Sequence, residues 1–327
     1  MSTVPQQKIW VGMDLGGTKM LATVYDTNFK LLARKRRRTK GAEGTDSVTS
    51  RMIRTIRDAL EEAKIEPGQV AGMGVGIPGP VDQEKGIVLE AVNLSWENVA
   101  LAKLLGAEFD RPVVVLNDVD AGIYGEYRFG AAKSARTALG VFPGTGIGGG
   151  CVYDGQIIRG KRNSCMEIGH VSVMPNGRLC GCGLRGCLET EASRLAIAAE
   201  VAKAAYRGEA PTVLKKAGTT ITNIRSGTLA EAIAAGDKVV EQIVRRAARI
   251  LGTAVASSIH LLCPDVIVLG GGLVEAMPEL YVECVASAAK KAVMPSFAES
   301  FTVVAAQLGD DASVLGCAAW AAKTFDA

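Results

Sequence analysis

Residues 8–25, KIWVGMDLGGTKMLATVY, and residues 137–153, TALGVFPGTGIGGGCVY, share one layout that decides the fold. In each stretch, an apolar run with the composition of a strand leads into a glycine turn, and a second apolar run follows. A polar turn and a third strand come next, with the third strand at Lys30–Arg38 after the first stretch and at Gln156–Arg159 after the second. Because the same design occurs twice, we expect two halves that are built on the same meander of three strands.

Helices and further strands alternate behind these meanders. The 38 glycines cluster at turns between apolar runs, so we expect tight connections and no flexible linker. Strands that alternate with helices predict a mixed or parallel sheet with helical cover. The expected elements are a helix at 47–64, strands at Val70–Ile77 and Pro112–Leu116, helices near 189–207 and 237–262, a strand at Val266–Leu269 and a final helix near 313–324.

Composition limits the class of partner. The chain has 327 residues, 48% of them hydrophobic, so it can bury more than one average domain core. Its net charge of +3 is small for this length, which implies no nucleic-acid or membrane partner and favours a small-molecule ligand. The N-terminus lacks the apolar stretch of a signal peptide, so we expect a cytoplasmic protein. Ile250–Leu262 is too short to span a membrane and predicts a buried helix, with His260 in the core.

The first glycine turn has the residues that a phosphate needs. Gly16 and Gly17 have no Cβ, so the backbone can approach a phosphate closely, and Thr18 offers amide and hydroxyl donors before Lys19. Asp14, at the end of the preceding strand, can hold Mg²⁺ through water, because magnesium keeps several waters and takes only one or two carboxylates. An ordinary hairpin turn is the alternative interpretation of this stretch taken alone.

The second turn, Gly144-Thr-Gly-Ile-Gly-Gly-Gly150, strengthens the phosphate interpretation. Five glycines in seven residues are unfavourable in a simple hairpin, because each costs about 0.5–1 kcal/mol of strand stability. Gly144, Thr145 and Gly146 correspond to the first turn, and two such turns can hold one polyphosphate from both sides. Neither turn ends in Gly-Lys-Ser/Thr or opens a helix as Gly-x-Gly-x-x-Gly, so P-loop and dinucleotide-binding folds are disfavoured.

The pair Asn117-Asp118 directly follows an apolar strand. Open α/β sheets bind ligands at the carboxyl ends of their strands, so this position suits a general base. A hydroxyl that attacks a phosphoryl group must lose its proton, and the Asp118 carboxylate can accept it. A cap at the strand end, with no part in catalysis, is the alternative.

One imidazole and three thiols predict a metal site. His170, Cys180, Cys182 and Cys187 fall within eighteen residues and are separated by glycines. They form the ligand set of a closed tetrahedral zinc site with no position left for a catalytic water, so the zinc is expected to be structural. The ring nitrogen of His170 that does not bind zinc would be fixed in direction near Glu167 and could orient a substrate contact.

Two alternatives accompany the zinc prediction. Disulfide redox chemistry at the three clustered thiols is the weaker interpretation in a chain with no export signal. The remaining cysteines stand among apolar or small residues, and we expect them to be buried free thiols; they are Cys151, Cys165, Cys263, Cys284 and Cys317.

Together these motifs resemble the ROK family of sugar kinases and repressors, and in particular its bacterial glucokinases. The resemblance covers nearly the whole chain, and the zinc signature is its most specific part. The stretches that carry it are Asp14–Lys19, Gly76-Ile-Pro-Gly-Pro80, Asn117-Asp118, Gly144–Gly150, Glu167-Ile-Gly-His170, Cys180-x-Cys182-Gly-x-x-Gly-Cys187-x-Glu189 and Gly270-Gly-Gly272.

The resemblance implies an α/β protein with the actin-like ATPase (ribonuclease H-like) fold. Two lobes are expected, each with a mixed five-stranded sheet and flanking helices. Residues 1–120 plus 310–327 would form a small lobe, and residues 121–309 a large lobe that carries the zinc site. The family also implies a homodimer or homotetramer.

The resemblance further implies an ATP- and Mg²⁺-dependent kinase that acts on the 6-hydroxyl of a hexose, with glucose as the expected acceptor and Asp118 as the general base. The implied sugar contacts are Gly79, Asn117, Asp118, Glu167, His170 and Glu189. The implied ATP and Mg²⁺ contacts are Asp14, Gly16, Gly17, Thr18, Lys19, Gly144, Thr145, Gly146, Gly271 and Gly272. The implied ligands of the structural Zn²⁺ are His170, Cys180, Cys182 and Cys187.

Several alternatives stay open. The acceptor could be fructose, mannose, allose or an N-acetylhexosamine, because Met166 stands where family glucokinases commonly carry a small residue; Met166 either reshapes the pocket wall or packs inward. A sugar-sensing regulator is a further alternative, although its family members carry an added N-terminal DNA-binding module and the first strand here begins by residue 8. The basic run Arg34–Lys40 either attracts polyphosphate or forms a solvated edge strand.

Overall fold

A computed structural model describes residues 8–161 and 166–326. The strands, in chain order, are β1 (Ile9–Leu15), β2 (Lys19–Tyr25), β3 (Leu31–Arg38), β4 (Val70–Ile77), β5 (Val81–Asp82), β6 (Ile87–Ala91), β7 (Trp96–Val99), β8 (Val113–Asn117), β9 (Thr137–Pro143), β10 (Ile147–Tyr153), β11 (Gln156–Ile157), β12 (Val266–Leu269) and β13 (Thr302–Ala305). The helices are α1 (Thr45–Ala63), α2 (Leu101–Phe109), α3 (Asp118–Phe129), α4 (Glu189–Ala192), α5 (Arg194–Tyr206), α6 (Pro211–Ala217), α7 (Ser226–Ala234), α8 (Lys238–Leu262), α9 (Gly271–Ala276), α10 (Pro278–Ala292) and α11 (Asp311–Phe325).

The chain divides into two compact units. Unit 1 comprises Met1–Lys133, Ile157–Cys165 and Asp310–Ala327, and unit 2 comprises Ser134–Gln156 and Met166–Gly309. This division differs from the predicted one, because residues 121–133 and 157–165 fall in unit 1. The reason for the first difference is α3, which packs along α11 so closely that a Cβ at Gly125 or Gly316 would clash with the facing helix backbone.

The two large sheets repeat one topology. The sheet of unit 1 has the strand order β3-β2-β1-β4-β8, and the other has β11-β10-β9-β12-β13. In both, the central strand pairs with the second strand of the meander in the antiparallel sense: β1 with β2, and β9 with β10. On its other side the same strand is parallel to its neighbour, β4 or β12. The predicted repeat and the mixed five-stranded sheets are therefore confirmed.

Glycines on the central strands of unit 1 allow α11 to lie directly on the sheet. A Cβ at Gly12 in β1 would clash with the carbonyl of Val314, and one at Gly74 in β4 would clash with that of Cys317. The helix backbone therefore touches the strands, which places the first turn of α11 beside the carboxyl ends of β1 and β4.

One helix and the burial of two side chains differ from the sequence-based expectation. The predicted helix near 189–207 is interrupted at Ser193, whose hydroxyl caps α5. His260 is exposed and not in the core, because it lies on the outer face of the last turn of α8, where its Nε2 accepts the backbone N–H of Met294. Cys263, at the end of α8, is also exposed, and Cys165 lies outside the described residues. Among the described helices, none is long and apolar enough to cross a membrane.

Candidate active site

In unit 1, acidic side chains gather at the carboxyl ends of three parallel strands. The register pairs Asp14 of β1 with Gly76 of β4, and Gly76 with Leu116 of β8. Asn117 and Asp118 follow Leu116, so they lie at the same edge as Asp14. Gly76 is close to Asp118, since a Cβ there would lie 3.6 Å from the Asp118 Cα. This is the edge at which open α/β sheets bind ligands.

Asn117 holds this edge in shape by capping α3. Its Oδ1 accepts the backbone N–H groups of Val119 at 2.9 Å and Asp120 at 3.2 Å. Its Nδ2 donates to the carbonyl of Gly79 at 3.1 Å. Gly79 has φ 111° and lies against the Glu90 carbonyl, a position that only glycine fits. The cap interpretation therefore describes Asn117, while Asp118 is the first residue of the helix that it caps.

Burial tunes both carboxylates of this edge. It raises the pKa of Asp118, and the hydrogen bond from the backbone N–H of Val119 at 2.9 Å opposes that effect. Burial, followed by the negative charge of Asp118, raises the pKa of Asp14 to about 6. The hydroxyl of Ser313 in α11 donates to Oδ1 of Asp14 at 3.1 Å and opposes the rise. Two carboxylates that repel each other in this way fit a divalent cation between or beside them.

The first glycine turn is braced by β3. The N–H of Gly16 donates to the carbonyl of Lys19 at 3.0 Å. Thr39, just after β3, donates its hydroxyl to the Gly16 carbonyl at 2.6 Å and its N–H to the Thr18 carbonyl at 2.9 Å. The ammonium of Lys19 forms an ion pair with Asp310 at 2.9 Å. The turn is thus held from both sides, with Lys19 already engaged.

The basic run around β3 forms an edge strand, which is one of the two alternatives that the sequence left open. β3 lies at the end of its sheet, where cations disfavour pairing with another chain. Most of its cations have acidic partners within unit 1; the ion pairs are Arg34–Asp311, Lys35–Glu62, Arg36–Asp310, Arg37–Asp58 and Lys40–Glu43.

In unit 2, the second glycine turn is held by residues of the following helices. The N–H of Gly144 donates to the carbonyl of Gly146 at 2.8 Å. Oε2 of Glu189 accepts the N–H of Ile147 at 3.0 Å, and a Cβ at Gly146 would clash with that oxygen. Arg194 donates its backbone N–H to the Gly144 carbonyl at 2.8 Å and its guanidinium to Thr145 Oγ1 at 3.0 Å. Sequence reasoning missed Arg194, because it follows the metal signature and belongs to no glycine motif.

The four predicted metal ligands converge in unit 2. Their ligand atoms all lie within 4.8 Å of one another. Cys180 Sγ is 3.6 Å from Nδ1 of His170, and the sulfurs of Cys182 and Cys187 are 3.7 Å apart. In a tetrahedral site with Zn–S of about 2.3 Å and Zn–N of about 2.0 Å, ligand atoms lie about 3.5–3.8 Å apart. The donor set therefore fits zinc, with Nδ1 as the imidazole ligand atom.

The protein alone does not favour thiolates at this cluster. Burial is the main cause that raises the pKa of Cys180, and burial with the Cys182 thiol raises that of Cys187 to about 12. The backbone N–H of Leu184 lowers the pKa of Cys182. Without a cation, Cys180 and Cys187 would stay protonated at neutral pH. A bound zinc ion would deprotonate them, since thiolate is the form that binds metal.

The implied sugar-binding residues of unit 2 lie around this cluster. A short 3-10 turn, Ile168–His170, follows Glu167, and the N–H of His170 donates to the Glu167 carbonyl at 3.0 Å. Gly169 lies against the carbonyl of Ile147, the residue whose N–H Glu189 binds. The structure therefore brings Glu167, His170 and Glu189 together next to the second glycine turn.

Two further predicted features lie nearby in unit 2. Met166 has a left-handed backbone, with φ 58°, and its carbonyl lies against Gly149 in β10. Asn163, Ser164 and Cys165, which precede it, lie outside the described residues. Gly271, with φ 78°, begins α9 beside the carbonyl of Pro143, at the end of β9. Gly271 and Gly272 thus start a helix next to the turn at Gly144.

Known proteins resemble this chain in sequence and in architecture. The chain matches the ROK family model over residues 10–324. It is 34% identical to the glucokinase of Thermotoga maritima over 96% of this chain and 97% of that protein. The crystal structure of a ROK family glucokinase from Streptomyces griseus, in complex with glucose and AMPPNP, is 30% identical and has a TM-score of 0.82. That alignment covers 97% of this chain and 99% of the other.

A regulator is also among the structural neighbours. A ROK family transcriptional regulator, a homologue of the E. coli MLC protein, is 25% identical with a TM-score of 0.84. The alignment covers 95% of this chain and 76% of the regulator. The two sheets of identical strand order and these similarities confirm the actin-like ATPase fold. The chain belongs to the ROK family.

Proposed function

We propose that this ROK protein is an ATP- and Mg²⁺-dependent sugar kinase that phosphorylates the 6-hydroxyl of a hexose, with glucose as the acceptor. The observation that carries the proposal is the pair of partly buried carboxylates, Asp14 and Asp118, at the carboxyl edge of the parallel strands of unit 1. The similarity to glucokinases over nearly the whole chain supports the sugar kinase activity.

Asp118 would act as the general base. As the 6-hydroxyl oxygen attacks the γ-phosphorus, its O–H bond breaks and the proton moves to the Asp118 carboxylate. The bond between the γ-phosphorus and the bridging oxygen breaks, and ADP leaves with that electron pair. The raised pKa of Asp118 increases its proton affinity, while the N–H of Val119 fixes the direction of one carboxylate oxygen.

The donor would be bound by both glycine turns. Asp14 would hold Mg²⁺, which when bound offsets the negative charge of the transferred phosphoryl group. Gly16, Gly17, Thr18 and Lys19 would present donors from unit 1. In unit 2 the proposed contacts are Gly144, Thr145 and Gly146, with Gly271 and Gly272 at the adenosine.

The sugar would be held by hydroxyl contacts. The proposed partners are Gly79, Asn117, Asp118, Glu167, His170 and Glu189. His170 is one of the four candidate metal ligands and Glu189 stands beside Cys180, so a structural zinc ion would fix the positions of both. A site built to bind hydroxyls discriminates strongly against analogues that lack them. We further propose a cytoplasmic homodimer or homotetramer, as the family resemblance implies.

Two alternatives rest on specific observations. A different hexose is the first, since Met166 lies in a strained left-handed conformation beside Glu167 and can alter the shape of the sugar site. A sugar-sensing regulator without catalysis is the second, because ROK regulators share the fold.

An ADP-release assay with Mg-ATP and a panel of hexoses tests the proposal. We expect turnover of glucose, and a loss of at least about 10²-fold in kcat for Asp118→Asn with little change in glucose binding. Asp154→Asn, an exposed substitution in unit 2, is the control and should keep full activity. If zinc-loaded protein turns over none of the sugars, the kinase proposal fails. Sugar binding measured on the same sample would then favour the regulator.

A further inference from the structure

The side chain of Arg194 supports the second glycine turn. Arg194 is the first residue of α5, and Ser193 caps that helix by accepting the N–H of Ala196 at 3.2 Å. The Arg194 backbone donates to the Gly144 carbonyl at 2.8 Å, and its guanidinium donates to Thr145 Oγ1 at 3.0 Å. The turn at Gly144–Thr145 therefore has the positive end of a 13-residue helix and a guanidinium beside it.

This positive charge has no ion-pair partner in the described part of the chain. Among residues 8–161 and 166–326, no carboxylate forms an ion pair with Arg194 or Arg225, and Nη1 of Arg194 is buried without a hydrogen-bond partner. Other arginines of unit 2, such as Arg178, Arg207 and Arg245, are paired with glutamates. Burial, followed by the positive charge of Arg225, lowers the pKa of Arg194.

Two neighbouring cations and an unpaired buried donor destabilise the protein unless an anion compensates them. The hydrogen bond to Thr145 indicates where that anion would lie. Because Thr145 Oγ1 accepts from the guanidinium, its own O–H remains available to donate elsewhere. A ligand oxygen at the turn could then accept from both Thr145 and Arg194.

We propose that Arg194 is a donor-binding residue whose guanidinium contacts the polyphosphate of the nucleotide at the Gly144–Gly146 turn. This inference rests on the proposed kinase function and adds a residue that lies outside every glycine motif. Arginine suits the role because its planar fork can bind Thr145 and a phosphate oxygen at once, while its charge persists at all physiological pH values. Arg225 would add charge at longer range.

The test compares adenine ligands with phosphates, AMPPNP and ADP, with the phosphate-free nucleoside adenosine. Binding of Mg-AMPPNP, Mg-ADP and adenosine to the full, zinc-loaded protein would be measured by calorimetry for wild type, Arg194→Gln and Arg194→Lys. Arg207→Gln is the matched control, because Arg207 lies at the other end of α5 and is paired with Glu209. We expect Arg194→Gln to weaken the binding of AMPPNP about 10- to 100-fold and to leave the affinity for adenosine within about twofold of wild type. Arg194→Lys should lose less AMPPNP affinity than Arg194→Gln, and Arg207→Gln should keep the wild-type affinity.

The outcomes separate this inference from the kinase proposal. Arg194 is not a phosphate contact if the AMPPNP affinity of Arg194→Gln stays within about twofold of wild type. The same conclusion follows if its affinity for adenosine falls as much as its affinity for AMPPNP. If Arg194→Gln does not fold, as judged by its melting curve, the same comparison with Arg194→Lys decides, with an expected loss of about threefold or more for AMPPNP alone. If wild type binds neither nucleotide nor adenosine, the kinase proposal itself fails.

Discussion

Glu189 accepts the backbone N–H of Ile147 with its Oε2 at 3.0 Å, while its other oxygen, Oε1, lies 3.8 Å from Cys180 Sγ. One carboxylate therefore joins the metal cluster to the strand that leaves the second glycine turn. The family resemblance assigns Glu189 to the sugar. The geometry gives it a second task, because the turn that would bind phosphates depends on the same side chain.

Replacing Glu189 separates these two tasks. Glu189→Gln keeps an oxygen that can accept from Ile147, whereas Glu189→Ala leaves that N–H unpaired, at a cost of about 1–3 kcal/mol. We expect Glu189→Ala to weaken AMPPNP binding about tenfold or more and Glu189→Gln to weaken it less than about threefold, as measured by calorimetry. Both variants should raise the KM for glucose. Wild-type nucleotide affinity in Glu189→Ala would show that the turn does not need this hydrogen bond.

Gly146 also lies against the Glu189 carboxylate. A Cβ at Gly146 would clash with Oε2 of Glu189, while a Cβ at Gly144 would meet no heavy atom nearer than 4.0 Å. Gly146→Ala would displace the Glu189 carboxylate and leave the N–H of Ile147 unpaired, so the ligand-free protein should lose about 1–3 kcal/mol of stability. Gly144→Ala, the matched control, should leave the melting temperature nearly unchanged. Equal melting temperatures for the two variants would contradict the close approach of Glu189.

Removal of the metal should weaken the second glycine turn, Gly144–Gly146. We expect about one zinc ion per chain in metal analysis, and loss of most of it in Cys182→Ser. Cys263→Ser is the control, because Cys263 is exposed and lies outside the cluster. Chelation should lower the melting temperature of wild type and weaken AMPPNP binding, since Glu189 and the His170 turn lose their support. A zinc-free wild type with unchanged stability would rule out a structural metal.

The sequence predicts the repeated core of this fold well. Apolar runs on both sides of a glycine turn locate the meanders, and the predicted bounds of β4 and β12 agree with the structure. The small sheet of β5, β6 and β7 was not predicted, because its strands are short and exposed charges such as Glu90 and Glu97 interrupt the apolar pattern. Short strands held by tertiary packing carry little local signal.

The site was predicted in part, and distance along the chain explains the rest. The motifs point to Asp14, Asp118 and the four candidate metal ligands of the proposed site, because each stands in a recognisable local pattern. Ser313 was missed, since it lies 299 positions from the Asp14 side chain that it binds. Only the contact of α11 with Gly12 and Gly74 brings them together. Arg194 was missed for the same reason, because it lies 49 positions from Thr145.

Asp14 predicts a pH dependence of stability in protein without Mg²⁺. Its pKa is about 6 in the folded state against 3.8 for an unperturbed aspartate, so the folded state binds the proton more tightly. The ionised carboxylate then destabilises the folded state, and the penalty grows from pH 4 to pH 6 and is complete above it. A shift of this size corresponds to about 2–3 kcal/mol. Asp14→Asn removes the penalty while keeping an oxygen for the Ser313 hydroxyl.

Asp14→Asn should therefore be more stable than wild type at pH 8, and this difference should shrink to about one third at pH 4.5, when urea unfolding is measured in the presence of a magnesium chelator. Glu275→Gln is the control, because this exposed carboxylate lies in unit 2, away from the acidic edge. The same stability difference at both pH values would mean that Asp14 is not destabilised by burial and by Asp118. The charge of Asp14 therefore costs the metal-free fold stability, which agrees with the proposed role of Asp14 in holding Mg²⁺.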